Sequence, residues 1–263
     1  MNLSPNTEIH VPKGSLPLCE KTAHRGLADL LVSVRDQDEL LEVRKSAVKI
    51  IDLKEPRLGP LAPADESFWR IADQLWQQTS DETAFLLSAA LGEQEQAKRV
   101  ATSLPGSFAF AKVGPSGCAT PASLCALWDQ IRQSLSETTE LVAVAYADWK
   151  SANCLPPDVI FRLAGAHGFK RCLIDTYKKD GKSTVDHLGY EVLSDLHQIV
   201  GQQRQWWTLA GSIRRPVVDE LQDLGWLPDC FGIRGDVCLG TRTTRVDHDL
   251  VQAWCKRLSR ASA

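Results

Sequence analysis

The chain has 263 residues, 43% of them hydrophobic and 24% charged, with a formal net charge of -3. That balance is ordinary for a soluble globular protein, and its slight acidity removes the electrostatic case for a nucleic-acid partner. No run approaches the roughly 18 apolar residues of a membrane span, so no membrane partner is expected.

Residues Met1 to Arg25 lack the apolar centre of a secretory signal. The eight cysteines lie scattered at 19, 118, 125, 154, 172, 230, 238 and 255, with no Cys-x-x-Cys pair. Reduced thiols in a cytoplasmic protein are the expectation. The six histidines show no His-x-x-x-His spacing, so no metal site is indicated.

Taken in chain order, residues 1–28 match no repeating unit and read as an N-terminal extension. Three roles stay open for it: capping the barrel bottom, reaching a neighbouring subunit, or remaining disordered. From residue 29 to 263 short apolar runs alternate with amphipathic stretches. Strand Leu30–Val34 precedes helix Gln37–Ser46, and Val48–Leu53 precedes Asp65–Gln78. Ala84–Ala89 leads to Glu93–Ser103, and Phe108–Lys112 to Pro121–Ser136. Leu141–Tyr146 is followed by Pro157–Ala166, and Arg171–Asp175 by Thr184–Gln202. Trp206–Ala210 is followed by Pro216–Leu224, and Cys230–Ile233 by Thr244–Leu258. Eight strand–helix units in about 250 residues predict an α/β protein, a single (β/α)8 TIM barrel. An open doubly wound sheet would usually carry a Gly-rich turn after its first strand. Here that strand runs into Ser33-Val34-Arg35-Asp36.

Active sites of such barrels form where the strands end, and strand residues i and i+2 share a face. On the second strand Val48, Ile50, Asp52 and Lys54 therefore align; on the fourth, Phe108, Phe110 and Lys112. The first strand adds Ser33, the fifth Tyr146 and Asp148, the sixth Asp175 with Lys179 just beyond. An inward lysine above aliphatic layers is desolvated, which favours the neutral amine that can form a Schiff base with a carbonyl. Asp52 and Asp175 would then manage protons or hold hydroxyls. The plainer alternative is a structural ion pair, Lys54–Asp52 or Lys112–Asp175, closing the barrel top. The seventh and eighth strands end in small residues, Gly211 and Ser212, then Arg234 and Gly235. Loops in those positions often bind phosphate, with Arg234 as a cationic clamp.

Eight ordered segments resemble the (5-formylfuran-3-yl)methyl phosphate synthase family. They are LLVSVRD, IIDLKEP, AALGE, AKVG, AYAD, LIDTYKKDGK, LAGSI and GIRGDVC, from Leu30 to Cys238. The resemblance implies a (β/α)8 barrel that joins two glyceraldehyde 3-phosphate molecules, releasing phosphate and water, in methanofuran-type cofactor synthesis. Carried over by motif, Lys54 looks like the Schiff-base lysine and Lys112 like the proton acceptor. Asp52, Asp175 and Lys179 would support them, with Lys178 an adjacent extra lysine. The turn Glu55 to Leu61 departs from the family pattern. An iminium is itself an electron sink, so no cofactor is expected. Two other readings stay open: a different Schiff-base aldolase on a small phosphorylated carbonyl compound, and a non-catalytic phosphometabolite-binding barrel. Barrels of this kind commonly assemble, so a homo-oligomer is expected.

Overall fold

The computed structural model describes residues 27–79 and 85–259. Nearly all of the expected N-terminal extension, residues 1–26, lies outside the described residues, as does the expected start of the third strand at Ala84.

Eight parallel strands pair in sequence order and close, β1 joining β8. They are β1 Asp29–Val34, β2 Ile50–Leu53, β3 Leu86–Glu93, β4 Phe108–Gly114, β5 Glu140–Tyr146, β6 Arg171–Asp175, β7 Trp206–Leu209 and β8 Cys230–Ile233. Between and after them run α1 Gln37–Val43, α2 Glu66–Gln77, α3 Gln94–Val100, α4 Pro121–Ser134, α5 Pro157–Ala166, α6 Thr184–Gln202, α7 Pro216–Asp223 and α8 His248–Ser259. This is the expected TIM barrel. Side-chain caps start several helices: Asp36, Asp65, Thr120 and Ser183 each accept a backbone N–H two or three residues on. Each such cap is worth about 1 kcal/mol.

The period of two along each strand sorts the core into two layers. Leu30, Val32, Ile51, Leu53, Ala143 and Ile174 join the outer layer between strands and helices. Leu31, Ile50, Leu86, Phe110, Val142 and Leu173 fill the lumen. At its lower end the Arg171 guanidinium sits 4.8 Å from the Phe110 ring centroid and 5.2 Å from that of Trp206, paired with Glu140. The lumen is thus a packed core, open only above.

Several expectations need correction. Phe108 does not share the face of Phe110: the β3–β4 register slips between Leu87 and Ser88, and Phe108 turns outward onto Trp69. Val48 likewise belongs to the outer layer, and β2 begins at Ile50. Inside α6, Gly189 breaks the helix at φ 72°. The last helix starts at His248 rather than Thr244, because the segment before it is held by other bonds.

Candidate active site

Strand ends β1, β2, β4, β6, β7 and β8 open onto one cavity of about 680 Å³. Among the described residues, seven basic side chains and three aspartates line it. That imbalance favours an anionic ligand even though the whole chain is acidic.

At its base two lysine–aspartate pairs cross between strands. Lys112, at the end of β4, forms a close ion pair with Asp52 of β2; the side chains are 3% and 1% exposed. Ser33 of β1 donates from Oγ to Asp52 Oδ2 at 3.1 Å, so Asp52 is held from both sides. The second pair joins Lys54 to Asp175, with Nζ to Oδ2 at 4.0 Å. Lys179 reaches the other oxygen, Nζ to Asp175 Oδ1 at 2.8 Å, and Thr176 Oγ1 at 2.9 Å. The Thr176 backbone N–H also donates to Asp175 Oδ1, at 2.7 Å. The pairing is therefore the exchange of the one expected from sequence. Strand order explains it: β2, β4 and β6 contribute alternate residues to one lumen layer, so partners come from across the lumen.

These neighbours set the charge states. Burial depresses the Lys54 ammonium first; attraction to Asp175 and Asp52 opposes it, repulsion by Lys179 and Lys112 adds to it, and the pKa falls to about 8. Burial would by itself raise the Asp175 pKa, but Lys179 and Lys54 outweigh it and hold the carboxyl below its ordinary range. Asp175 thus favours its anionic form beside an amine whose proton is held more weakly than usual. Lys178 is exposed, so Lys179 is the lysine of that adjacent pair that faces the site.

The far wall is built from the ends of β7 and β8. Gly211 sits at φ 87°, and a Cβ there would stand 2.3 Å from Thr184 Oγ1 and 2.9 Å from the Thr176 backbone nitrogen. Only glycine fits. Ser212 follows at φ 56°, a left-handed turn that costs about 1 kcal/mol and exposes its side chain to the cavity. Gly235 lies beside them on the β8 side.

Two expected binding residues stand elsewhere. Tyr146 is fully buried and donates its hydroxyl to Glu93 Oε1, away from the cavity wall. Asp148 accepts from the backbone nitrogens of Tyr177 at 2.6 Å and Lys178 at 2.8 Å, and so fastens the β6–α6 loop. It lies past the end of β5, where strand alternation no longer governs direction. Arg234 does border the cavity, but every one of its N–H groups is taken by protein oxygens. It is not a free clamp.

Three residues in or behind this end of the barrel were not singled out from the sequence. Glu39 on α1, 1% exposed, is the carboxylate that holds Arg234. Arg242 enters the cavity from the β8–α8 loop. Glu93, at the end of β3, has its pKa raised by burial, against hydrogen bonds from Tyr146 and the Ser116 N–H. Glu93 stands in the AALGE segment, which was a usable signal; for Glu39 and Arg242 the sequence carried none.

A closed parallel barrel with buried lysines and aspartates gathered at its C-terminal mouth defines the class: a TIM-barrel enzyme. Solved barrels show the same fold, including phosphoribosyl anthranilate isomerase from Thermus thermophilus (TM-score 0.54, 10% identity, 87% of this chain and 97% of that one). 3-Hexulose-6-phosphate synthase is a second (TM-score 0.53, 12% identity, 88% and 99%). The family comes from sequence. The chain belongs to the 4-HFC-P synthase family, whose model matches residues 30–255. Its curated relatives include the (5-formylfuran-3-yl)methyl phosphate synthases of Methanosarcina barkeri, 27% identical over 231 residues (85% of this chain, 96% of the relative), and Methanococcus maripaludis, 28% identical over 233 residues (85% and 96%).

Proposed function

We propose that this chain condenses two molecules of glyceraldehyde 3-phosphate into (5-formylfuran-3-yl)methyl phosphate, releasing phosphate and water, as a lyase of methanofuran-type cofactor synthesis. The observation that carries the reading is the Lys54 amine: buried, its pKa lowered to about 8, and facing a cavity whose charged lining is mostly cationic.

The Lys54 amine attacks the aldehyde of the first triose phosphate, and loss of water leaves an imine, which is protonated to the iminium. Lys112, which gives its ammonium proton to the departing hydroxyl in that loss of water, is left neutral and takes the proton from the carbon next to the iminium; Asp52, seated against it, stabilises the ammonium that returns. The resulting enamine expels phosphate from C3 with its electron pair, leaving a conjugated iminium. The second triose loses its C2 proton and adds that carbon to this C3. The C2 oxygen of the first triose closes onto the second aldehyde carbon, two waters leave to give the furan, and hydrolysis of the imine frees the furan aldehyde and Lys54. Asp175 stays ionised throughout and stabilises the iminium across 4.0 Å. Lys179 keeps Asp175 in that state and that position. Backbone around Gly211, Ser212 and Gly235 holds phosphate, fixing the reacting carbons. The residues supply every step, so the reading calls for neither metal nor organic cofactor.

The test is reduction with borohydride in the presence of glyceraldehyde 3-phosphate, followed by peptide mass mapping. A triose adduct on Lys54 is expected, with furan absorbance in the unreduced reaction. No adduct on Lys54 would end this reading, and an adduct without furan would assign the site to a different Schiff-base aldolase.

A further inference from the structure

Two arginines at the cavity stand in opposite circumstances. Arg234, 6% exposed, donates from Nε to Arg242 O at 2.9 Å, from Nη1 to Ser33 O at 3.0 Å and to Glu39 Oε2, and from Nη2 to Thr244 O at 2.9 Å and Glu39 Oε1 at 3.0 Å. A guanidinium has five N–H groups, and these contacts use all of them. Arg242 is the reverse. Among the described residues nothing hydrogen-bonds its guanidinium, yet it is partly buried in the cavity wall. Burial lowers its pKa, with Asp175 attracting and Arg234 repelling it. A desolvated cation with no partner is unfavourable by itself, and an anionic ligand offsets that penalty.

The backbone explains how Arg242 comes to be there. Three successive carbonyls of its loop are tied to one buried acid through two arginines. Arg242 O and Thr244 O accept from Arg234, and Thr243 O accepts from Arg35. Glu39 pairs with both arginines, and its Oε1 receives the Val246 N–H at 3.4 Å. The loop is thus fastened at nearly every residue from 242 to 246, while the Arg242 side chain is left to the cavity. Its Cβ lies 3.7 Å from where a Cβ on Gly235 would stand, against the β8 strand end.

We propose that Arg242 is the guanidinium that grips the substrate phosphate at the β7–β8 wall, and that Glu39 and Arg234 are positioning residues that hold its loop. The proposal rests on the reading that the site takes a phosphorylated aldehyde. A planar fork suits a phosphoryl group, whose oxygens accept two parallel N–H bonds.

Titration calorimetry with inorganic phosphate tests it on the full chain. Arg242→Ala should weaken phosphate binding at least about tenfold and Arg242→Lys by less, since the charge stays and the fork is lost. An Arg242→Ala affinity within about twofold of wild type overturns the proposal, as does a wild-type protein that binds no phosphate. Borohydride trapping with unphosphorylated glyceraldehyde separates this result from the catalytic reading. Arg242→Ala should still trap glyceraldehyde on Lys54; if wild type does not, the Lys54 chemistry fails while the phosphate titration still judges Arg242. For the positioning residues, Glu39→Gln should raise KM for glyceraldehyde 3-phosphate with kcat nearly unchanged, and Glu39→Asp should recover part of the loss. Should Glu39→Gln not fold, Arg35→Met, which frees Thr243 alone of the three loop carbonyls and also removes Arg35 from Glu39 and Asp36, should show the same split in smaller degree. Wild-type KM in a folded variant of this pair overturns the positioning role.

Discussion

Lys54 Nζ stands 4.0 Å from Asp175 Oδ2, near enough for attraction and too far for a good hydrogen bond. Lys179, at 2.8 Å, holds the other oxygen of the same carboxylate. One anion thus serves two amines unequally: it binds Lys179 tightly and leaves the Lys54 nitrogen with its lone pair uncommitted once the proton departs.

The first prediction concerns pH. With a pKa of about 8, roughly a tenth of Lys54 is neutral at pH 7, against a few parts in ten thousand for an ordinary lysine. Single-turnover imine formation should therefore rise tenfold per pH unit below about 8 and level off above it. A flat profile, or an inflection above about 10, would refute the assignment of Lys54 as nucleophile.

The same shift has a stability consequence. The folded pKa lies below the unfolded 10.5, so the unfolded chain binds more protons between about 8 and 10.5. Native stability from this group is accordingly lowest at neutral pH and climbs as pH rises through that window. Lys54→Met should abolish trapping and yet stabilise the protein at pH 7, by up to about 3 kcal/mol. Denaturant midpoints at pH 7 and pH 10 check it: the difference between variant and wild type should shrink at the higher pH.

Lys112 and Asp52 are an almost fully buried pair, and removing one partner strands the other. Lys112→Ala should abolish turnover, cost about 3–5 kcal/mol of stability, and leave phosphate binding measurable. Asp52→Asn keeps the shape and Ser33 as a neighbour; kcat should fall by about 10²–10⁴ with little change in KM. Full activity in Lys112→Ala would remove its role as proton acceptor.

Lys178 and Lys179 offer a paired control. Lys178 is exposed, whereas Lys179 bonds Asp175 and Thr176. Lys178→Ala should leave kinetics unchanged. Lys179→Ala removes the largest influence lowering the Asp175 pKa, so that pKa should rise and the acid limb of the kcat profile should move to higher pH. Equal effects of the two substitutions would contradict the geometry.

Tyr146 supplies the converse test, since it lies off the cavity wall with its hydroxyl on Glu93. Tyr146→Phe leaves the half-buried Glu93 without that donor and should cost about 1–3 kcal/mol of stability. KM for glyceraldehyde 3-phosphate should stay near wild type; a large KM increase would return Tyr146 to the binding site.

Local pattern made most of this architecture legible. Alternation of apolar runs and amphipathic stretches, with Pro121, Pro157 and Pro216 opening helices, is written residue by residue, and each of the eight strands overlaps the run it marks, β3 reaching four residues further, to Glu93. The rim residues Asp52, Lys54, Lys112 and Asp175 were legible for the same reason, because a period of two decides which side chains face inward. Where a bulge or a strand end interrupts that period, as at Phe108 and Asp148, the local rule fails.

Partnership was decided by the tertiary structure alone. Strand periodicity singled out two lysines and two aspartates, but only barrel closure shows that Lys112 meets Asp52 and Lys54 meets Asp175. Glu39 and Arg234 are separated by 195 positions, and no periodicity in either neighbourhood foretells that they bind. A side chain's direction is a property of its own strand, whereas the group that satisfies it depends on which distant strands and loops the fold brings alongside.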